Sequence, residues 1–243
     1  MTLPLLVRGG GVAAWRRIAE CLEAEIAAGV FAPGHKLPAE VLLAGQLGVN
    51  RHTVRRAIAF LAERGIVRAT RGSGTYVEPP PLRYPIGPRT RFSEIALRAG
   101  REAWGVLASA AAVPAEGQTA EALGVALGEP VLRLATVHEA DGVPISTAVT
   151  WLPLPRFEGF DRAYAGAGSI TRAFAACGVA DYLRLSTRIM ARVVNAEEAA
   201  LLELTPGRVV LVVDSVNVDA NDARIQATRA CFAADRVELV VEG

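Results

Sequence analysis

Three arginines crowd the start of the stretch VNRHTVRRAIAFLAERG, Val49 to Gly65, at positions 51, 55 and 56, and the same stretch carries an apolar stripe of Val54, Ile58 and Leu61. Spacings of three and four put the stripe on one face of a helix, and Asn50 is a good N-cap just ahead of it. Such a helix docks through its stripe and turns a cationic leading end outward. There an arginine fork can pair with a guanine edge and a hydroxyl can hold a phosphate. Arg51, Thr53 and Arg55 are the candidate contacts, His52 adds a phosphate contact, and Arg56 and Arg64 lie further round or back as surface groups.

A second cluster suits a small anion. If Tyr182 to Val194 is a strand, alternation places Tyr182, Arg184, Ser186 and Arg188 on one face and Leu183, Leu185 and Ile189 on the other. Two guanidiniums and two hydroxyls on one face fit a phosphoryl or carboxyl group. Arg91, Phe92 and Ser93 open a helical run whose first N–H groups can also face an anion. Catalytic chemistry is not legible. Cys21, Cys177 and Cys231 are odd in number and widely spaced, with no Cys–His or Ser–His–Asp arrangement and no His/Cys cluster. Neither an enzyme, nor a metal site, nor a cofactor is expected.

The elements that must position these groups follow from periodicity and punctuation. Val12 to Ala28 reads as an amphipathic helix with Trp15, Ile18, Ala19, Leu22 and Ile26 on one face, closed by Gly29. The connector FAPGHKLPAE leads into a short helix, Ala39 to Leu47, which Gly48 breaks just before the arginine-rich helix. IVRATRGSGTYVE then gives two β runs joined at Arg71 to Gly74, a hairpin. Three helices and a two-stranded wing make a winged helix-turn-helix. EPPPLRYPIGP, Glu78 to Pro88, holds five prolines and is expected to be extended, stiff and unable to pair within a sheet. The expected division is a DNA-binding domain over 1–78, a linker over 79–89 and an effector-binding and dimerisation domain over 90–243.

In that second domain the expected strands are Ala103 to Ala112, Val131 to Glu139, Val143 to Trp151, Tyr182 to Val194, Val209 to Asp219, Arg224 to Phe232 and Val237 to Val241. Tight turns at Asp141-Gly142 and Asn221-Asp222 imply antiparallel pairing. Helices are expected at Phe92 to Ala99, Thr119 to Leu127, Ile170 to Ala176 and Ala196 to Leu204, which makes the class α+β.

Composition agrees with two folded domains: 243 residues, 51% hydrophobic, with a net charge of +1. That charge hides an asymmetry. Residues 1–78 hold 10 Lys and Arg against 6 Asp and Glu, and the remainder 16 against 19. A basic first third on an acidic remainder points to a polyanion at the N-terminal part alone. The first basic residue follows the apolar run Leu3 to Val7, the reverse of a secretory signal, and no stretch approaches the ~18 apolar residues of a membrane span. The expected setting is the cytoplasm, with no membrane partner.

The motifs also carry a resemblance. GHKLPAEVLLAGQLGVNRHTVRRAIAFLAERGIVRATRGSGTYV resembles the DNA-binding domain of the GntR family of bacterial transcription regulators over about residues 12 to 78. The resemblance implies that Arg51, Thr53 and Arg55 contact an operator and that Arg71 and Gly72, at the wing tip, approach the minor groove. Val41 stands where some relatives carry a DNA-reaching arginine, and Ala39 replaces a capping serine. RFSEIALRAG, ADGVPIS, DYLRLSTRIMARVVNAEEAALLEL and CFAADRVELVVE resemble the HutC-type (UTRA) effector domain, which has a chorismate-lyase-like fold, and within it the branch regulating phosphonate metabolism.

That resemblance implies a repressor that binds an inverted repeat in double-stranded DNA as a homodimer and answers to a small oxyanion. With the strand face and helix start above, the expected effector residues are Arg91, Phe92, Ser93, Ser169, Tyr182, Arg184 and Arg188; the resemblance matches the Phe92-Ser93 segment and Ser169 to the phosphate cradle of relatives that bind sugar phosphates. Those relatives carry two arginines where Thr136 and His138 stand here, which points away from a sugar phosphate, and His138 reads as an ordinary strand residue. A carboxylate such as urocanate remains the rival effector, and an enzyme on the chorismate-lyase-like fold the rival of another class.

Overall fold

The computed structural model describes residues 13–70 and 72–241. The chain divides into two compact units, Met1–Pro80 and Pro81–Gly243.

The first unit is built from α1 (Ala14–Ala27), α2 (Glu40–Leu47), α3 (Arg51–Glu63), β1 (Val67–Thr70) and β2 (Gly74–Val77). Ile18 and Leu22 of α1, Leu43 and Leu47 of α2, and the expected stripe Val54, Ile58 and Leu61 of α3 close on one buried core with Val67 and Val77 of the hairpin. Gly48, at φ 64°, ends α2 in the left-handed conformation that glycine adopts without a Cβ penalty. Asn50 then caps α3, its side chain accepting from the His52 N–H at 2.9 Å. Ala39 gives α2 no side-chain cap, as its replacement of serine implies. β1 and β2 pair antiparallel, and the connector ahead of α2 anchors the hairpin through Leu37 N–H to Thr75 O at 2.8 Å.

The second unit centres on an antiparallel sheet of β4 (Ala103–Pro114), β5 (Pro130–Ala140), β6 (Val143–Pro153), β7 (Leu183–Val193), β8 (Val209–Val218) and β9 (Arg224–Ala233), in the order β4-β5-β6-β9-β8-β7. The β5–β6 turn runs through Asp141 and Gly142 at φ 54° and 71°, the positive pair that a tight hairpin with right-handed twist requires. One face of the sheet is covered by α4 (Phe92–Arg98), α6 (Phe160–Ala167) and α7 (Ile170–Ala176), with Phe157, Phe160, Tyr164 and Phe174 packed on Leu134 and Leu152. On the other face α5 (Gly117–Leu123) packs with Ala227, and α8 (Ala196–Leu201) with Val210, Val212 and Cys231. Asn195 and Glu198 start α8 with a capping box. α6 follows Gly159 and has no counterpart in the sequence reading.

Two expectations are corrected. The segment 79–89 is not unpaired throughout: β3 (Leu82–Ile86) pairs parallel with β10 (Val237–Val241). Leu82 donates its N–H to Arg236 O at 2.7 Å, so residues of even number turn their N–H toward β10. Pro85 falls on the odd parity of a two-stranded ribbon, where its missing N–H faces away from the partner. The second correction concerns β7. Its register against β8 shifts between Arg184 and Ser186, a bulge. Arg184 lies opposite Asn217, but Ser186 and Arg188 lie opposite Val216 and Asp214, on the reverse face. Strict alternation, and with it the expected common face for Arg184, Ser186 and Arg188, is therefore broken.

Candidate DNA interface and ligand cavity

In the first unit α3 presents the arginine cluster as its N-terminal turns. Arg51, His52 and Arg55 are exposed, Thr53 is half-buried, and the stripe beneath holds the helix on the core. Gly72 sits exposed at the wing tip with φ 77°, while Arg71 lies outside the described residues. Arg56 stacks over the Trp15 ring at 4.6 Å and Arg64 pairs with Glu23, which accounts for both without a nucleic acid.

Glu40, at the start of α2, is not among the expected contact residues, yet it joins the two leading arginines. Its carboxylate accepts from Arg51 Nε at 2.8 Å and from an Arg55 terminal nitrogen at 3.0 Å. The Arg55 bond, then that to Arg51, holds the Glu40 carboxyl below its ordinary range. This pairing fixes two long side chains side by side on the outer face of α3, eleven and fifteen residues from their partner.

In the second unit a cavity of about 100 Å³ lies between the sheet and the roof formed by α4 and α7. Of the expected effector residues, Arg91, Phe92, Ser93, Ser169, Tyr182 and Arg184 all line it. Arg188 does not; it borders a groove on the opposite face with Asp214 and Arg229. Ser93 and Ser169, distant in sequence, bring their hydroxyls to 3.5 Å. The Ser169 hydroxyl also accepts from the Arg172 N–H at 3.5 Å, as the N-cap of α7. Tyr182 shares a hydrogen bond with Thr171 at 3.0 Å.

The two arginines of the cavity differ in their partners. Arg91 is buried, donates to Tyr182 O at 2.7 Å and to Asp181 at 3.0 Å, and lies 3.6 Å from the Tyr182 ring centre. Asp181 is also held by Arg89. Arg184 stands beside the Tyr84 hydroxyl, which burial pushes up from its ordinary range, and the Arg184 Nε is buried without a hydrogen-bond partner. Among the described residues, no aspartate or glutamate lines the cavity. A desolvated guanidinium N–H without an acceptor is costly, and an anionic ligand relieves that cost.

The rest of the lining is polar in a way the strand pattern conceals. Thr150, Thr228 and Ser215 face one another across β6, β9 and β8, and Asn217 lies opposite Gln226 one step further on. The available signal is the alternation of Ser215 and Asn217 with Val216 and Val218, and of Gln226 and Thr228 with Ile225 and Ala227, in otherwise apolar strands. His138, expected as an ordinary strand residue, also lines the cavity, within 3.4 Å of the Ser146 hydroxyl and 3.3 Å of the Tyr164 hydroxyl. Burial pulls it down to about 4, so the ring is neutral near pH 7. Thr136 is buried nearby, donating toward Ala148 O at 3.4 Å.

The cysteines sit apart from this chemistry. Burial pushes the Cys231 thiol up to about 12, and its contact with Glu198 adds to the shift. Such a thiol is neutral and unreactive. Among the described residues, no group of three or more His, Cys, Asp or Glu residues is placed to hold a metal ion. No helix among them is long and apolar enough to cross a membrane.

Comparison with known proteins covers both units. Residues 98–238 match the UTRA domain, and residues 15–77 match the family described as bacterial regulatory proteins, gntR family. An uncharacterised helix-turn-helix transcriptional regulator of Rhizobium meliloti is 46% identical over the whole of both chains. The transcriptional repressor PhnF of Mycolicibacterium smegmatis is 32% identical over 84% of this chain and 82% of its own. The crystal structure of PhnF from Mycobacterium smegmatis superposes with a TM-score of 0.62 at 28% identity, covering 96% of this chain and 99% of that one.

Proposed function

The chain belongs to the GntR family of bacterial transcriptional regulators and carries a UTRA domain, and from that premise we propose that it is a HutC-type repressor of phosphonate uptake or metabolism genes, working as a homodimer in the cytoplasm. Arg51, Thr53 and Arg55 read base edges or phosphates in the major groove, His52 holds a phosphate, and the wing tip at Arg71 and Gly72 approaches the minor groove. Each protomer takes one half of an inverted repeat, since a helix-turn-helix dimer reads two half-sites related by its own two-fold axis. The support is the docked stripe beneath α3 and the exposed, paired arginines above it.

The effector is a small oxyanion, a phosphonate or phosphate, bound by Arg184, Ser93 and Ser169 with Phe92, Tyr182 and Arg91 shaping the wall. One observation carries this reading: a guanidinium with a buried, unpartnered N–H in a cavity that no carboxylate lines among the described residues. Thr136 and His138 stand where relatives that bind sugar phosphates carry two arginines, which argues against a sugar phosphate. The resemblance of the second domain to the branch regulating phosphonate metabolism supports a phosphonate-related compound over a carboxylate. Occupancy shifts operator affinity by the difference between the effector's affinities for the two states.

The test is calorimetric titration of the full-length protein with phosphate, methylphosphonate, glucosamine 6-phosphate and urocanate, alongside gel shifts on an operator selected from random duplexes. Binding of phosphate or methylphosphonate that is abolished in Arg184→Ala, and that changes the gel shift, is the expected result. Binding of urocanate alone, or undiminished oxyanion binding by Arg184→Ala, overturns it. Unchanged operator affinity in both Arg51→Ala and Arg55→Ala overturns the DNA assignment.

A further inference from the structure

The polar floor of the UTRA cavity specifies more than an anion, and the following rests on the oxyanion reading above. Asn217 Nδ2 donates to Gln226 Oε1 at 2.6 Å, and Gln226 Nε2 donates to Thr228 Oγ1 at 3.0 Å. The Thr228 hydroxyl in turn lies 3.0 Å from Thr150 Oγ1, and either of the two hydroxyls can donate. These side chains all line the cavity and form one chain across three strands, directed from Asn217 through Gln226 to Thr228. Its head is Asn217 Oδ1, which is buried and accepts no hydrogen bond. An amide oxygen without a donor inside a protein is an uncompensated acceptor. Asn217 is also the cross-strand partner of Arg184, so the spare acceptor and the spare guanidinium N–H belong to neighbouring positions on one face.

Charge decides which kind of donor the acceptor takes. Among the described residues the cavity lining holds Arg91 and Arg184, a neutral His138 and no carboxylate. The nearby acids are engaged outside it, Asp181 with Arg89 and Arg91 and Glu94 with Arg98. An ammonium group seated at Asn217 would be stripped of water beside two guanidiniums, with only the effector's own oxyanion, already engaged by Arg184, to offset it. A hydroxyl meets the same acceptor without that cost.

We propose that the effector is a small hydroxylated oxyanion, a hydroxyalkyl phosphonate or phosphate ester, whose hydroxyl donates to Asn217 Oδ1 while its anionic oxygens take Arg184, and that the site discriminates against an amino group at the same position. The directed amide chain makes Asn217 the residue that sets specificity, whereas Arg184 sets affinity for any oxyanion.

The experiment is calorimetric titration of the full-length protein with ethylphosphonate, 2-hydroxyethylphosphonate, 2-aminoethylphosphonate and 2-oxopropylphosphonate, repeated on Asn217→Leu. The expected order places 2-hydroxyethylphosphonate about tenfold or more ahead of ethylphosphonate, the discrimination that one satisfied buried acceptor supplies, and 2-aminoethylphosphonate behind both. Asn217→Leu should bring the hydroxyl and alkyl compounds to equal affinity while ethylphosphonate binding stays within about threefold of the parent. Equal binding of ethyl and hydroxyethyl compounds by the parent protein overturns the proposal and leaves the oxyanion reading intact. So does preference for the amino compound, or for the ketone, which would mean that the amide chain runs in the other direction. Failure of all four to bind overturns both the proposal and the oxyanion reading. Should Asn217→Leu not fold, Asn217→Asp keeps the shape and places a carboxylate there; preference should then pass to 2-aminoethylphosphonate, and an unchanged order counts against the assignment.

Discussion

Acid should weaken the UTRA domain through His138, and the size of the effect follows from its surroundings. The ring lies among Phe92, Tyr164 and Ser146, and its remaining exposure is to the cavity it lines. Burial lowers it to about 4 in the folded protein, against about 6.5 in an unfolded chain. Between those values the unfolded state binds a proton that the folded state refuses, so stability is fully present above about pH 6.5 and is lost as pH falls toward 4. At pH 5 the loss relative to pH 8 comes to about 2 kcal/mol, approaching about 3 kcal/mol below pH 4.

The assay is urea unfolding at pH 5 and pH 8 followed by tryptophan fluorescence in a Trp15→Phe background, which leaves Trp104 and Trp151 to report on the UTRA domain. His138→Gln keeps a polar side chain near Ser146 and Tyr164 but cannot titrate. It should lose about 2 kcal/mol of the pH 5 to pH 8 difference. Carboxylates such as Glu198, held at about 2 by Arg192, contribute equally to both proteins and cancel. The same pH dependence in the parent and in His138→Gln would refute the reasoning.

Four further outcomes are expected. Glu40→Gln removes the carboxylate between Arg51 and Arg55, so the slope of log affinity for DNA against log salt should steepen by about 0.9, or about 3.5-fold between 50 and 200 mM; an unchanged slope in filter binding means that these arginines do not face phosphates. Arg188→Ala should leave oxyanion binding at the parent value, because the bulge turns this residue to the reverse face, whereas lost binding in calorimetry would put it back in the cavity. Gly105→Ala places a Cβ 2.1 Å from the Tyr164 hydroxyl and 2.9 Å from Gly168 O, so chemical unfolding of the UTRA domain should show a loss of about 1–3 kcal/mol; parent-like stability contradicts the close approach. Leu61→Ala opens the centre of the first core, where the side chain is fully buried, and should cost about 2–5 kcal/mol in denaturant unfolding read by Trp15, with a cost under about 1 kcal/mol arguing against that packing.

What was legible in the sequence is what neighbouring residues decide between themselves. The stripe of α3, its Asn50 cap, the Gly48 break and the Asp141-Gly142 turn are settled within a few residues by helix period, capping and the sign of φ, and each stands where the local pattern places it. Strand alternation brought Arg184 forward, the helix start Arg91 and Ser93, and the resemblance Ser169, and the four share a cavity. Other features depend on pairings that no local window contains. β3 is a strand because Val237–Val241 lies beside it about 150 residues later and Pro85 happens to turn its missing N–H outward. Arg188 leaves the site because one bulge reverses the alternation after Arg184, a change of one residue that flips every side chain beyond it. Glu40 meets Arg51 and Arg55, and Asn217 meets Gln226 and Arg184, only once helices have docked and strands have found their register. Propensity and pattern act along the chain, whereas charge pairing, cavity shape and the fate of a buried amide are settled across it, by which strands and helices become neighbours.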